Sequence, residues 1–180
     1  TNRRKDGSIY YSEQHISPMR DAQGKITHYI SVSRDITDRV EREQALRQAA
    51  NTDQLTGLYN RYRGARLLGD AHREARQDDL PLSLIICDVD HFKQVNDRFG
   101  HLAGDRVLRS VAQALKQSVR STDLVIRWGG EEFIVLLKNC DIDGARTRGE
   151  FIRRRVEGLQ DEQVGQVTLS LGAAALRANE

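Results

Sequence analysis

Cysteine is almost missing from this 180-residue chain, which has only Cys87 and Cys140. Both lie in or beside apolar stretches, without the close spacing of metal-ligand pairs and without the numbers of a disulfide framework. They read as reduced core residues of a cytoplasmic protein. No apolar run reaches the roughly 18 residues that a membrane helix needs, so no direct membrane contact is expected in this segment. An excess of charge of one sign is also lacking: 28 Lys and Arg face 26 Asp and Glu, for a net charge of +2. That balance excludes the broad basic surface of a general nucleic-acid binder. No signal-peptide pattern, internal repeat or low-complexity tract is visible. What is present is a hydrophobic fraction of 38%, lean but enough for a core. The length holds one domain, or one domain and a fragment.

Residues 1–36 read as a β-hairpin. In SIYYSEQHISP, Ile9, Tyr11, Glu13 and His15 alternate with Tyr10, Ser12, Gln14 and Ile16. RDAQGK is a turn in which Gly24 can take positive φ, and KITHYISVSRDI is the returning strand. Two strands alone are marginal in water, so the hairpin is expected to pack on upstream chain or on a second copy. Residues 37–51 switch to helical character, with Thr37 or Asp38 able to cap. Ile36, Val40, Leu46 and Ala50 form a sparse stripe among charges. The segment is either a solvated linker helix or a parallel coiled coil joining domains in a dimer.

From residue 52 a compact domain is expected. LTGLYNRYRGARLLGDAHREA is a turn and an amphipathic helix, and PLSLIICDVD is a near-continuous apolar strand of the kind buried on both faces. GDRVLRSVAQALKQSV is a helix with Val107, Leu108, Val111, Leu115 and Val119 on one face. DLVIRW and FIVLLK bracket GGEE at hairpin spacing, an Arg-rich helix follows, and VTLSLGAAAL closes the domain. The order from Pro81 is β-α-β-β-α-β, a split βαβ α+β fold with flanking helices.

In such a sheet the first and third strands are central, so Asp88, at the end of the first, can approach Glu131 on the Gly-Gly turn. Paired acids repel unless something positive lies between them. Carboxylates of this kind suit Mg²⁺ bound together with substrate phosphates, as in phosphoryl transfer. Glycines there would let backbone come close to a nucleotide. Alone, a GGEE turn is usually a solvated hairpin tip.

The turn is not alone. RWGGEEF resembles the signature of the GGDEF family of diguanylate cyclases in its GGEEF form. DQLTGLYNR, DVDHFKQVNDRFGHLAGD and VTLSLGAA resemble further segments of that family in order and spacing, over about residues 51 to 175. The resemblance implies the nucleotide-cyclase palm and a reaction joining two GTP into cyclic di-GMP and pyrophosphate, one GTP per domain, across a homodimer. It implies Asp88, Glu131 and the Val89 carbonyl as ligands of Mg²⁺ (or Mn²⁺). Lys93 and the backbone of His91 and Phe92 would face the phosphates, and Glu132 would help activate the ribose 3′-hydroxyl. Asn96, Asp105 and His101 would meet the guanine. An ionised Asp accepts from adjacent guanine N–H donors that adenine lacks on that edge, and relatives that accept ATP differ at the position of Asp105. Asp90 is open between a second metal ligand and a cap of the helix beginning at HFKQ. On their own, His91 and His101 read as surface histidines, Phe99 as core and Trp128 as a sheet residue.

RSTD, with Arg120 and Asp123, resembles the family's inhibitory product site; in isolation it is an exposed ion pair. The N-terminal KDGS, SPMRDAQGK and DIT resemble the end of a PAS sensor domain, giving residues 1–36 as the PAS end, 37–51 as the signalling helix and 52–180 as the cyclase domain. Relatives continue past the last strand with a helix and a basic segment that binds phosphates. Nothing up to Glu180 matches it, so that grip and the cover of one sheet face are not expected within these residues. The alternative to an enzyme is a non-catalytic receptor of GTP or cyclic di-GMP, or a dimerising signalling module.

Overall fold

The computed structural model describes residues 2–176, except for the side chains at 44, 45, 47 and 48. It divides into two compact units that meet in sequence between Ala49 and Ala50.

In the first unit β1 (Asn2–Arg3) pairs with β2 (Ile9–Tyr10), and β3 (Ser12–Arg20) pairs with β4 (Ile26–Asp35), all antiparallel. The β3–β4 turn closes as its sequence implies. Gly24 sits at φ 81°, and Asp21 accepts the N–H groups of Gln23 and Lys25 at 3.0 and 2.9 Å. Ile16, Met19, Tyr29, Ile30 and Val32 remain exposed, an apolar surface that a lone hairpin cannot hide. Helix α1 (Thr37–Asn51) begins where Asp35 accepts from both the N–H and the hydroxyl of Thr37, at 2.9 and 2.6 Å. The start of the helix is thus held from Asp35 rather than from Asp38.

The second unit runs α2 (Arg61–Asp78), β5 (Leu82–Val89), α3 (Phe92–Phe99), α4 (His101–Gln117), β6 (Leu124–Arg127), β7 (Glu132–Lys138), α5 (Ile142–Glu157), β8 (Gln160–Asp161), β9 (Gly165–Gln166) and β10 (Leu169–Ala175). Its main sheet has the order β10-β5-β7-β6, antiparallel throughout. This is the split βαβ α+β fold, with the first and third strands at the centre. Helices α4 and α5 cover one face, packing Val107, Val111, Leu115, Ile152 and Val156 on Ile85, Cys87, Phe133 and Val135. Burial pushes the Cys87 thiol up to about 12, which makes it an inert packing group. On the other face α2 sets Ala71 and Ala75 against Leu82 and Leu136. Asn60 caps α2 by accepting from Arg63 N–H.

Three features differ from the sequence reading. Strand β5 is not covered on both faces along its length: α2 reaches its Leu82 end, while Ile86 is 50% exposed. Helix α4 starts already at His101 rather than at GDRV, directly after Gly100, whose φ of 80° separates it from α3. A small β8–β9 hairpin lies between α5 and β10; its strands of two residues are too short to show alternation.

Candidate active site

The sheet register builds the site. Asp88 pairs with Glu132 across β5 and β7, and Val89 N–H donates to the Glu131 carbonyl at 3.3 Å. The strand end and the GGEE turn therefore share one edge. The turn closes through Trp128 N–H to the Glu132 carbonyl at 2.9 Å and Glu132 N–H to the Gly129 carbonyl at 3.2 Å. Among the glycines, positive φ occurs at Gly7, Gly24, Gly57, Gly100 and Gly165, and not at Gly129 or Gly130. The turn conformation does not itself demand glycine. A Cβ on Gly130 would meet only open space, and one on Gly129 would lie 3.0 Å from Oε2 of Glu132, the movable end of a side chain.

Asp88 reaches solvent, yet packing around it, then Glu131, Glu132 and Asp90, push its carboxyl above the usual range. Negative charge is thus concentrated where a cation would relieve it, which fits a divalent ion. Among the described residues no group of three or more His, Cys, Asp or Glu side chains could hold a metal. Asp88 and Glu131 offer two carboxylates at this edge, and Mg²⁺ is commonly bound by one or two carboxylates together with substrate phosphates.

Asp90 has another occupation. It accepts from the hydroxyls of Thr168 and Ser170, both at 2.6 Å, and its N–H donates to the Thr168 carbonyl at 3.1 Å. Those hydroxyls, Ser170 first, hold its carboxyl below the usual range. It is not a helix cap: His91 holds the N-cap position of α3 at φ 56° and no side chain caps there.

In the first turn of α3 the N–H groups of Gln94 and Val95 return to the His91 carbonyl at 2.9 and 3.2 Å, and those of Phe92 and Lys93 stand ahead of them at the helix terminus, a position that attracts anions. The Phe92 ring is 8% exposed and belongs to the core, so only its backbone can serve a ligand. His91, Lys93 and His101 are exposed, while Asn96 and Asp105 are half-buried. Asn96 lies against Gly104 of α4, the residue that precedes Asp105 in the helix.

Arg120 is exposed, but Asp123 is buried and engaged. It accepts the N–H of Arg120 at 2.9 Å and that of Lys138 at 3.3 Å. Together they border a cleft of about 370 Å³ that also takes in Arg148, Thr147 and Phe151. Asp123 thus shapes the RSTD turn as much as it faces the cleft.

Sequence reasoning missed a clamp behind the GGEE turn. Arg127 donates to the Gly130 carbonyl from Nε and Nη2, at 3.1 and 2.7 Å, and from Nη1 to both oxygens of Asp53, at 2.9 and 3.1 Å. Asp53 also accepts the Thr56 N–H and hydroxyl, at 2.9 and 2.7 Å. Burial pulls the Asp53 carboxyl up, but the Thr56 hydroxyl and Arg127 prevail and hold it below the usual range. The signal was present in DQLT and RWGG, 74 residues apart, but nothing local joins them.

Comparison with known proteins agrees with this geometry. The family model described as diguanylate cyclase, GGDEF domain, matches residues 50–180. The chain is 34% identical over 175 residues to diguanylate cyclase DgcM of Escherichia coli (strain K12), covering 97% of this chain and 42% of that protein. It is 40% identical over 154 residues to a diguanylate cyclase of Vibrio cholerae serotype O1, covering 85% and 48%. The crystal structure of the coiled coil and GGDEF domain of DgcB from Caulobacter crescentus in complex with c-di-GMP superposes with a TM-score of 0.74 at 31% identity, covering 79% of this chain and 78% of that one. The chain belongs to the GGDEF family of diguanylate cyclase domains. It spans less than half the length of those two curated relatives. Among the described residues no helix is long and apolar enough to cross a membrane.

Proposed function

We propose that this chain carries a diguanylate cyclase that joins two GTP into cyclic di-GMP. Each 3′-hydroxyl attacks the α-phosphate of the other GTP. Two phosphodiester bonds form, two α–β phosphoanhydride bonds break, and two pyrophosphates leave. The observation that carries the reading is the placement of Asp88 with Glu131 and Glu132 at one sheet edge, where packing and then these acids raise the Asp88 carboxyl. Asp88, Glu131 and the Val89 carbonyl would hold Mg²⁺ (or Mn²⁺), which when bound neutralises phosphate charge. Lys93 and the backbone of His91 and Phe92 face the triphosphate from the start of α3. Glu132 assists deprotonation of the 3′-hydroxyl. Asn96, Asp105 and His101 bind the guanine. One domain holds one GTP, so two chains act face to face.

The first unit is read as the end of a PAS sensor domain (1–36) and a signalling helix (37–51) that sets how two cyclase domains (52–180) meet. The uncovered apolar residues of β3 and β4 support its being part of a larger layer. Arg120 at the mouth of the 370 Å³ cleft supports feedback by cyclic di-GMP. The same cleft favours the second reading, a receptor that binds nucleotide without turnover.

Incubation of the dimeric protein with GTP and Mg²⁺, followed by chromatography, separates the two. A cyclic di-GMP peak lost in Asp88→Ala and Glu131→Ala establishes the cyclase. Bound GTP or cyclic di-GMP with no product establishes the receptor.

A further inference from the structure

Helices α3 and α4 meet at a residue that carries no side chain. A Cβ on Gly104 would lie 2.1 Å from Oδ1 of Asn96 and 3.1 Å from Cζ of Phe92. The first distance is far inside van der Waals contact, so one of the two groups would have to move. Phe92 is locked into the core at 8% exposure, where packing leaves little room to turn. Asn96 is half-buried and ends in a flexible carboxamide. Gly104 is the fourth residue of α4, inside a helix that glycine weakens relative to alanine. Nothing in the helix itself calls for glycine at this point. The close approach of Asn96 does.

We propose that Gly104 is a positioning residue for nucleotide recognition: the space left by its missing side chain seats the Asn96 carboxamide beside Asp105, so that both meet one guanine. The inference rests on the guanine reading of Asn96 and adds a residue that never touches the base. A methyl group at 104 displaces Asn96 first, because its carboxamide is the nearest contact and the movable end of a side chain, whereas the Phe92 ring at 3.1 Å needs to give only a few tenths of an ångström. That displacement leaves Asp105 to read the base alone.

A double-mutant cycle tests this in the full chain. The readouts are the Kd for the non-reacting α,β-methylene analogue of GTP, the Kd for its ATP counterpart, and the thermal midpoint. Gly104→Ala is expected to weaken the guanine analogue about five- to tenfold, the loss of roughly one hydrogen bond, and to leave the adenine analogue unchanged. Asn96→Ala is expected to show the same loss, and Asn96→Ala with Gly104→Ala no more than that, since removing the carboxamide makes room for the methyl. If Gly104→Ala fails to fold alone but folds beside Asn96→Ala, the seat is supported directly. Equal losses from Gly104→Ala in both backgrounds, or a failure to fold in both, overturn the proposal and assign the glycine to packing on Phe92. If Asn96→Ala alone leaves the guanine affinity intact, the guanine reading of Asn96 falls and the role of Gly104 with it. That outcome is distinct from an additive cycle, which removes only Gly104.

Discussion

Arg127 and Asp53 form a salt bridge of 2.9 Å that ties the segment after α1 to the strand leading into the GGEE turn. The pair is largely enclosed, with side chains 15% and 24% exposed. The same guanidinium holds the Gly130 carbonyl, and so fixes the peptide from which Glu131 projects. Arg127→Ala and Asp53→Ala should each lower kcat at least tenfold while leaving the Kd for GTP nearly unchanged. They should also destabilise the second unit by about 2 kcal/mol, the cost of losing hydrogen bonds to a charged group. Arg127→Lys should do little better, because an ammonium cannot serve the carboxylate and the carbonyl in a fork. Full activity in Arg127→Lys would show that the clamp does not position the turn.

Asp88 is held above its ordinary carboxyl range by packing and by neighbouring acids. A folded-state pKa above the unfolded value means that the ionised group opposes folding above the folded pKa, and that this penalty fades as pH falls. Asp88→Asn should therefore raise the thermal midpoint at neutral pH, match the parent protein in acid, and lose activity by roughly a hundredfold or more. Added Mg²⁺ should raise the midpoint of the parent more than that of Asp88→Asn, since binding to the native state is linked to stability. Equal Mg²⁺ shifts in both would remove Asp88 from the ion's site.

Asp90 works in the opposite sense. Its carboxyl is lowered by the hydroxyls of Ser170 and Thr168, so its stabilising effect is present above the unfolded value of about 3.9 and is lost as pH falls through the lower folded one. Asp90→Ala should cost about 1–3 kcal/mol at neutral pH and loosen β10 from the end of β5. Hydrogen exchange at Ser170 and Leu171 should rise. Unchanged protection there would mean that the two hydroxyl contacts carry no stability.

Arg120 and Asp123 should part company on mutation. Arg120 is exposed at the cleft, so Arg120→Ala should relieve inhibition by cyclic di-GMP with little change in initial rate or thermal midpoint. Asp123 accepts two backbone N–H groups while buried, so Asp123→Ala should lower the midpoint as well, because stranding those donors costs roughly 1–3 kcal/mol of stability. Inhibition that persists in Arg120→Ala would remove the feedback site.

Much of this architecture is legible in the sequence, because period and composition are local properties. The alternation of β3 and β4, the apolar run of β5, the one-sided face of α4 and the Gly-Gly hairpin all follow from side chains a few residues apart. Their order alone restricts the sheet to few arrangements, and that brings Asp88 to Glu131. What only the tertiary structure decides depends on partners distant in sequence. Asp90 chooses Thr168 and Ser170, 78 and 80 residues on. Asp53 chooses Arg127. Asp123 turns inward because its turn abuts Lys138 of the neighbouring strand. Hydrogen bonds require atoms within about 3 Å in a fixed direction, and no pattern in a single segment records which distant atom the fold will deliver there.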